Sequence, residues 1–166
     1  MPPFFARYWR DNMELLVIPK GSGKYTITDE KDRKIYSVNK KRKLIGNPIT
    51  SLHDASGYVL YTMVRTASGN KPAFDITFND AHFLDAKCKS LYVDPSIIFS
   101  GPGGEYMLKG KDTSVLTLLK GDTAIGSLQK QKQANDEPMY LLTVEDKFFD
   151  DFIPLFAVVA DKCYNT

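Results

Sequence analysis

Phe152-Ile153-Pro154-Leu155-Phe156-Ala157-Val158-Val159-Ala160, followed by Asp161-Lys162, is the stretch whose reading decides the fold. These nine uncharged residues are too few to cross a bilayer, which takes roughly twenty. The segment is apolar on every side, so as a helix it must be enclosed by protein all round. Asp150-Asp151 stand just ahead of it. Aspartate at a helix start caps free amides and suits the positive end of the helix dipole. With Asp151 as the cap, Pro154 falls in the first turn, where its missing N–H is tolerated. The alternative is a buried strand of similar length, and the alanines and flanking aspartates favour the helix.

Upstream, the chain supplies the material to wrap such a helix. From about residue 13 to residue 145 it repeats a short alternating run, a polar turn and another run. The clearest run is Phe74-Asp75-Ile76-Thr77-Phe78, with Phe74, Ile76 and Phe78 on one face. Further runs are 15–18, 25–28, 35–38, 49–53, 58–65, 90–93, 97–100, 106–109, 115–119, 124–130 and 139–144, rich in Tyr, Thr, Val, Ile and Phe. Gly21-Ser22-Gly23, Asp54-Ala55-Ser56-Gly57, Ser68-Gly69-Asn70, Gly101-Pro102-Gly103-Gly104 and Gly121-Asp122 separate them with residues that tolerate positive φ. This pattern predicts an all-β sandwich or barrel, with a sheet curled around the terminal helix.

Composition places the chain among single globular domains: 166 residues, 43% hydrophobic and 25% charged. A net charge of +2 is too small to indicate a nucleic-acid binder. Residues 1–50 carry 11 Lys/Arg against 5 Asp/Glu, whereas residues 133–166 carry 2 Lys against 7 Asp/Glu. Such a split gives a dipolar surface if the two regions fold apart and none if they fold together. Cys88 and Cys163 have no metal-ligand spacing; they could pair, but two thiols in a chain this long are more often free and buried, which favours a reducing compartment. Met1-Pro2-Pro3-Phe4-Phe5-Ala6-Arg7 lacks the basic-then-apolar order of a signal peptide, so a cytoplasmic, peripherally membrane-associated location is expected.

The motifs that suggest chemistry fail on spacing. Gly23-Lys24 would need a glycine at Ile18 and a hydroxyl residue at Tyr25 to be a phosphate loop. Gly101 to Tyr106 lacks the third glycine of a dinucleotide fingerprint and no helix follows. His53 and Asp54 lack a nucleophile elbow, and His82 with Cys88 is two ligands short of a zinc site. No catalytic residue, cofactor or metal is therefore expected.

Two features remain as binding candidates. Lys40-Lys41-Arg42-Lys43 is the densest charge run, suited to the phosphates of anionic lipid headgroups if it is more than a solvated turn. Phe4, Phe5, Tyr8 and Trp9, with Arg7 and Arg10 among them, form an aromatic arm over residues 1–12. Such an arm suits a protein partner, self-association or a membrane interface.

Three segments carry a resemblance: Asp54-Ala55-Ser56-Gly57-Tyr58-Val59-Leu60, Gly121 to Lys130 with Gly126-Ser127-Leu128-Gln129-Lys130, and the ending Phe152 to Asp161. In this order they resemble the LURP-one-related group of the tubby C-terminal-like superfamily, which includes phospholipid scramblases. The resemblance covers roughly residues 13–163. It implies a mainly β fold over residues 13–166, a closed antiparallel β-barrel of about twelve strands around a central C-terminal hydrophobic α-helix. Tubby relatives bind phosphoinositides through basic side chains, so the resemblance implies a non-enzymatic module for anionic headgroups or a protein partner. The competing expectation is a small enzyme or ligand carrier with its site at the barrel mouth.

Overall fold

Alternating sequence becomes a closed ring in the computed structural model, which describes residues 12–165. Twelve strands follow one another in chain order: β1 Asn12–Gly21, β2 Lys24–Thr28, β3 Lys34–Lys41, β4 Ile49–Asp54, β5 Val59–Ala67 and β6 Ala73–Phe78. Then come β7 Ala81–Ser90, β8 Ser96–Gly101, β9 Gly104–Lys109, β10 Val115–Lys120, β11 Thr123–Lys132 and β12 Pro138–Glu145. Each pairs antiparallel with the next, and β12 returns to β1 with Asn12 opposite Glu145 and Leu16 opposite Leu141. Closure leaves no exposed sheet edge. After a 3-10 turn at Asp146–Phe148 the chain enters the barrel as helix α1, Pro154–Tyr164.

The alternation puts one face of every strand against α1. Tyr36 and Val38 of β3, Ile97 and Phe99 of β8, and Tyr140, Leu142 and Val144 of β12 all point inward and are buried. From Ile153 to Val159 every residue of the helix segment is buried. Phe99 stacks on Phe156 with ring centroids 3.9 Å apart, and Phe152 packs edge-on against Phe83, Tyr106 and Tyr61. An eleven-residue helix is about 16 Å long and a six-residue strand about 20 Å, so α1 fills most of the barrel's depth. Gly126 allows the tightest strand contact, since a Cβ there would lie 2.1 Å from the Thr143 carbonyl oxygen.

Three local expectations are corrected. The run 90–93 is not a strand: β7 spans Ala81–Ser90, and Tyr92 and Val93 project from the turn into β8. Strand-forming side chains there are overruled by Asp94 at φ +48°, Pro95, and the Ser90 Oγ bond to the Val93 carbonyl oxygen at 2.5 Å. Asp151 does not cap α1, whose N-cap position is Ile153 without a side-chain bond; its carboxylate instead accepts from the Tyr36 hydroxyl. Phe78 leaves the buried face of Phe74 and Ile76. The β6–β7 register slips at Ile76/Thr77, and Phe78 ends half-exposed at the rim against Tyr61 and Phe83. Phe4, Phe5, Tyr8 and Trp9 lie outside the described residues.

Tyrosine–aspartate bonds hold the helix at both ends. At its entry Tyr36 donates to Asp151. At its exit the Asp161 carboxylate accepts from Tyr25 and Tyr140, each at 2.5 Å, and from Asn165 at 2.8 Å. Burial, with the neighbouring carboxylates, drives Tyr25, Tyr36 and Tyr140 well above the ordinary phenol range. Because the folded state keeps protons that the unfolded chain loses above pH ~10, their stabilisation is complete below that pH and declines above it. Urea midpoints measured from pH 9 to 12 are expected to fall, each tyrosine contributing up to about 1.4 kcal/mol per pH unit. Tyr25→Phe with Tyr140→Phe is expected to flatten that slope, and an unchanged slope would contradict the pegging role. Phe156→Ala is expected to cost about 3–5 kcal/mol in the same titration at neutral pH.

Candidate functional site: a cationic cleft at the helix exit

Inward-facing columns that are apolar in mid-barrel end in cations at the mouth where α1 exits. Tyr36, Val38 and Lys40 share the inward parity of β3, and Tyr61, Met63 and Arg65 share that of β5. Lys40 lies opposite Thr50, Thr50 opposite Met63, and Arg65 opposite Phe74. Lys162 approaches from the last turn of α1. Together with Asn47 and Pro48 they line a cleft of about 110 Å³. That is well below the roughly 300–1,000 Å³ of pockets that hold cofactors or drug-sized ligands, and suits a group the size of one phosphate.

The supporting contacts fix the cations without neutralising them. Arg65 stacks over the Phe74 ring at 5.0 Å, and Lys162 lies 5.9 Å from the centre of the Tyr25 ring. The Lys40 stem crosses Gly23, where a Cβ would stand 2.5 Å from Lys40 Cδ; Gly23, at φ +76°, serves both the turn and this passage. Asn47 Nδ2 donates to the Arg65 carbonyl oxygen at 2.7 Å, tying the β3–β4 loop to β5. Among the described residues no carboxylate oxygen lies within 4.0 Å of Lys40, Arg65 or Lys162. Burial holds the Lys162 ammonium below the ordinary lysine range, and Lys40 and Arg65 push it the same way against the opposing Asp161. An anion in the cleft would relieve that repulsion.

Charge along the barrel axis reinforces this polarity. The loops at the helix-exit mouth carry Lys24, Lys41, Arg42, Lys43, Lys71 and Lys111, opposed by Asp94, Asp112, Asp136 and Glu137. The entry mouth is rich in carboxylates, among them Asp29, Glu30, Asp54, Asp122, Asp150 and Asp151. The basic N-terminal third and the acidic C-terminal end do not separate into faces, because β1 of the first pairs directly with β12 of the second. Alternate turns do the sorting instead.

Of the basic run expected from sequence, only Lys40 lines the cleft. Lys41 has the outward parity of β3, and Arg42 and Lys43 stand exposed in the loop beyond it. Sequence reasoning missed Arg65 and Lys162. The signal was present in the parity of β5 and in a lysine following the helix that had to be enclosed. His53 and Asp54 belong to the β4–β5 turn: His53 Nδ1 lies 3.1 Å from the Gly57 carbonyl oxygen, and Asp54 accepts from the Ser56 and Tyr58 amides. His82 sits on the outer wall between Asp75 and Asp85, at 2.7 and 3.6 Å. The three could present donor atoms to a divalent cation, but both imidazole nitrogens already face carboxylates. Cys88 and Cys163 are free and buried; burial pushes the Cys163 thiol up to about 12 and raises Cys88 as well. Neither is poised as a nucleophile.

No protein-family profile matches the chain, and no curated protein matches it in sequence. Among solved structures it is similar to an X-ray structure of a protein from Arabidopsis thaliana, AT5G01750, with a TM-score of 0.62 at 15% identity, covering 91% of this chain and 90% of that one. That protein is also a twelve-stranded barrel, and at this identity the likeness concerns the fold.

Proposed function

We propose that this protein is a non-enzymatic binding module that takes the phosphate of an anionic phospholipid headgroup into the cleft of Lys40, Arg65 and Lys162. The observation that carries the reading is three convergent cations with no carboxylate partner among the described residues, one of them partly buried against its own electrostatic interest. The cleft offers an amide, a buried hydroxyl and cations, and its lining has no carboxylate, imidazole or thiol to serve as base or nucleophile. This favours binding over catalysis and over a carrier of larger ligands.

The fold likeness, together with the segments 54–60, 121–130 and 152–161, supports kinship with the LURP-one-related group of the tubby C-terminal-like superfamily. A peripheral cytoplasmic location follows from the same reading. Two free buried thiols fit a reducing compartment, and no helix among the described residues is long and apolar enough to cross a membrane.

Sedimentation with phosphatidylcholine vesicles, with and without phosphatidylserine or a phosphoinositide, tests the proposal. Binding is expected only with anionic lipid and should weaken with salt. A basic side chain near an anionic surface is worth about 1 kcal/mol, so Arg65→Glu with Lys162→Met should weaken binding roughly a hundredfold. Lys40→Glu should weaken it more than Lys41→Glu, because only Lys40 lines the cleft. Equal partitioning onto neutral vesicles, or binding indifferent to these substitutions, overturns the proposal.

Lys162→Met carries a second expectation. Removing an ammonium held below its ordinary range by burial and like charge should raise Tm by about 1–4 °C while binding falls. A lowered Tm would show that Lys162 is structural rather than poised for a ligand.

A further inference from the structure

Four large apolar side chains stand in solvent on two loops of the helix-exit mouth. Leu44 and Ile45, at the tip of the β3–β4 loop, are 107% and 89% exposed; Tyr92 and Val93, at the tip of the β7–β8 loop, are 84% and 78% exposed. Single exposed apolar residues are ordinary, but paired residues on two projections at the same mouth as a cationic cleft are not. The cleft is built from β3 to β6 and therefore lies on the arc between the two tips.

Both tips rise from fixed bases. The β3–β4 loop is held by the Asn47 bond to β5, and it reverses through Gly46 at φ +91°. The β7–β8 loop is held by Ser90, whose carbonyl oxygen accepts from the Tyr164 hydroxyl at the end of α1. Ordered bases carrying bare apolar tips suit an environment that the tips enter without further folding. Arg42 and Lys43 adjoin the first tip and Lys89 the second, with Asp94 the one opposing charge beside them.

The entry mouth shows that exposure alone does not identify the surface. Tyr58 and Val59 are exposed there too, but beside Asp54 and among carboxylates that an anionic surface repels. Among the described residues, apolar tips and positive charge coincide at the exit mouth.

We propose that the helix-exit mouth docks on an anionic bilayer, with Leu44, Ile45, Tyr92 and Val93 inserted at the boundary of headgroups and acyl chains. Arg42, Lys43 and Lys89 then sit at the level of the phosphates, and the acidic entry mouth faces away from the membrane. Apolar insertion and electrostatic attraction add in such interfacial binding. The inference rests on the cleft reading for its anionic lipid, and goes beyond it in fixing the orientation and depth of the barrel.

The test uses the full chain with Trp9→Phe as background, adding Ile45→Trp, Tyr92→Trp or Tyr58→Trp one at a time. Each protein is mixed with phosphatidylcholine/phosphatidylserine vesicles with or without bromine on the acyl chains, and bound protein is measured by sedimentation of the same samples. The probes at positions 45 and 92 should be quenched by bromine, and the probe at 58 should not. Leu44→Ser with Ile45→Ser should weaken vesicle binding about tenfold. Sedimentation without quenching at 45 and 92 overturns insertion and leaves the headgroup reading standing. Quenching at 58 equal to that at 45 overturns the orientation. Failure of every protein to sediment, the Trp9→Phe parent included, overturns the headgroup reading and this inference together.

Discussion

A segment with no polar face can be a helix in water only if protein surrounds it completely, and that requirement governs the rest of this molecule. An open sheet would leave one side of Ile153 to Val159 wet, so β1 and β12 must meet. Closure fixes the parity of each strand, since every inward side chain meets α1 or its neighbours on the wall. A fully buried aliphatic or aromatic side chain contributes roughly 1.5–3 kcal/mol. The gain comes from both surfaces at once, because the helix is the core of the sheet and the sheet is the shell of the helix. Neither has an independent reason to fold as it does.

A barrel filled by α1 leaves no internal chamber among the described residues and meets solvent at its mouths and outer wall. At the mouths the helix imposes an electrical asymmetry: its N-terminus is the positive end of its dipole and its C-terminus the negative end. Asp150 and Asp151 stand at the first, Lys162 at the second, and the loops around each mouth carry the matching excess of charge. In an up-and-down barrel, alternate turns lie at the same mouth. A chain with little net charge can thereby become polarised along its axis, without either half of its sequence having a face to itself.

Much of this architecture was legible in the sequence, for identifiable reasons. The all-apolar segment demanded a wrapper, and period two supplied its strands. What was not legible lay where two local signals competed. Tyr92 and Val93 have strand-forming side chains, yet Asp94 and Pro95 turn the backbone; meanwhile β7 hides its inward column of Leu84, Ala86 and Cys88 among Asp85, Lys87 and Lys89. Asp151 had the composition and position of a cap but is drawn to a tyrosine more than a hundred residues away, a partner no local rule can name. The basic run drew attention by density, whereas the cleft is assembled by parity. Lys40 belongs to it because it falls two residues beyond Val38, and Lys41 does not because it falls three beyond.

The cations that end inward columns conflict with the packing logic of everything beneath them. Leucine or methionine at Arg65 or Lys162 would extend the core, meet no like charge and need no desolvated ammonium. Lys40, Arg65 and Lys162 instead face one another across a cleft whose lining includes no anionic group. Local choices that work against the fold are expected where a site needs them. Here the conflict is confined to the last inward positions, where solvent and α1 meet. The interior can remain dry and tightly packed, and the strain of like charges is kept where the inward columns reach solvent.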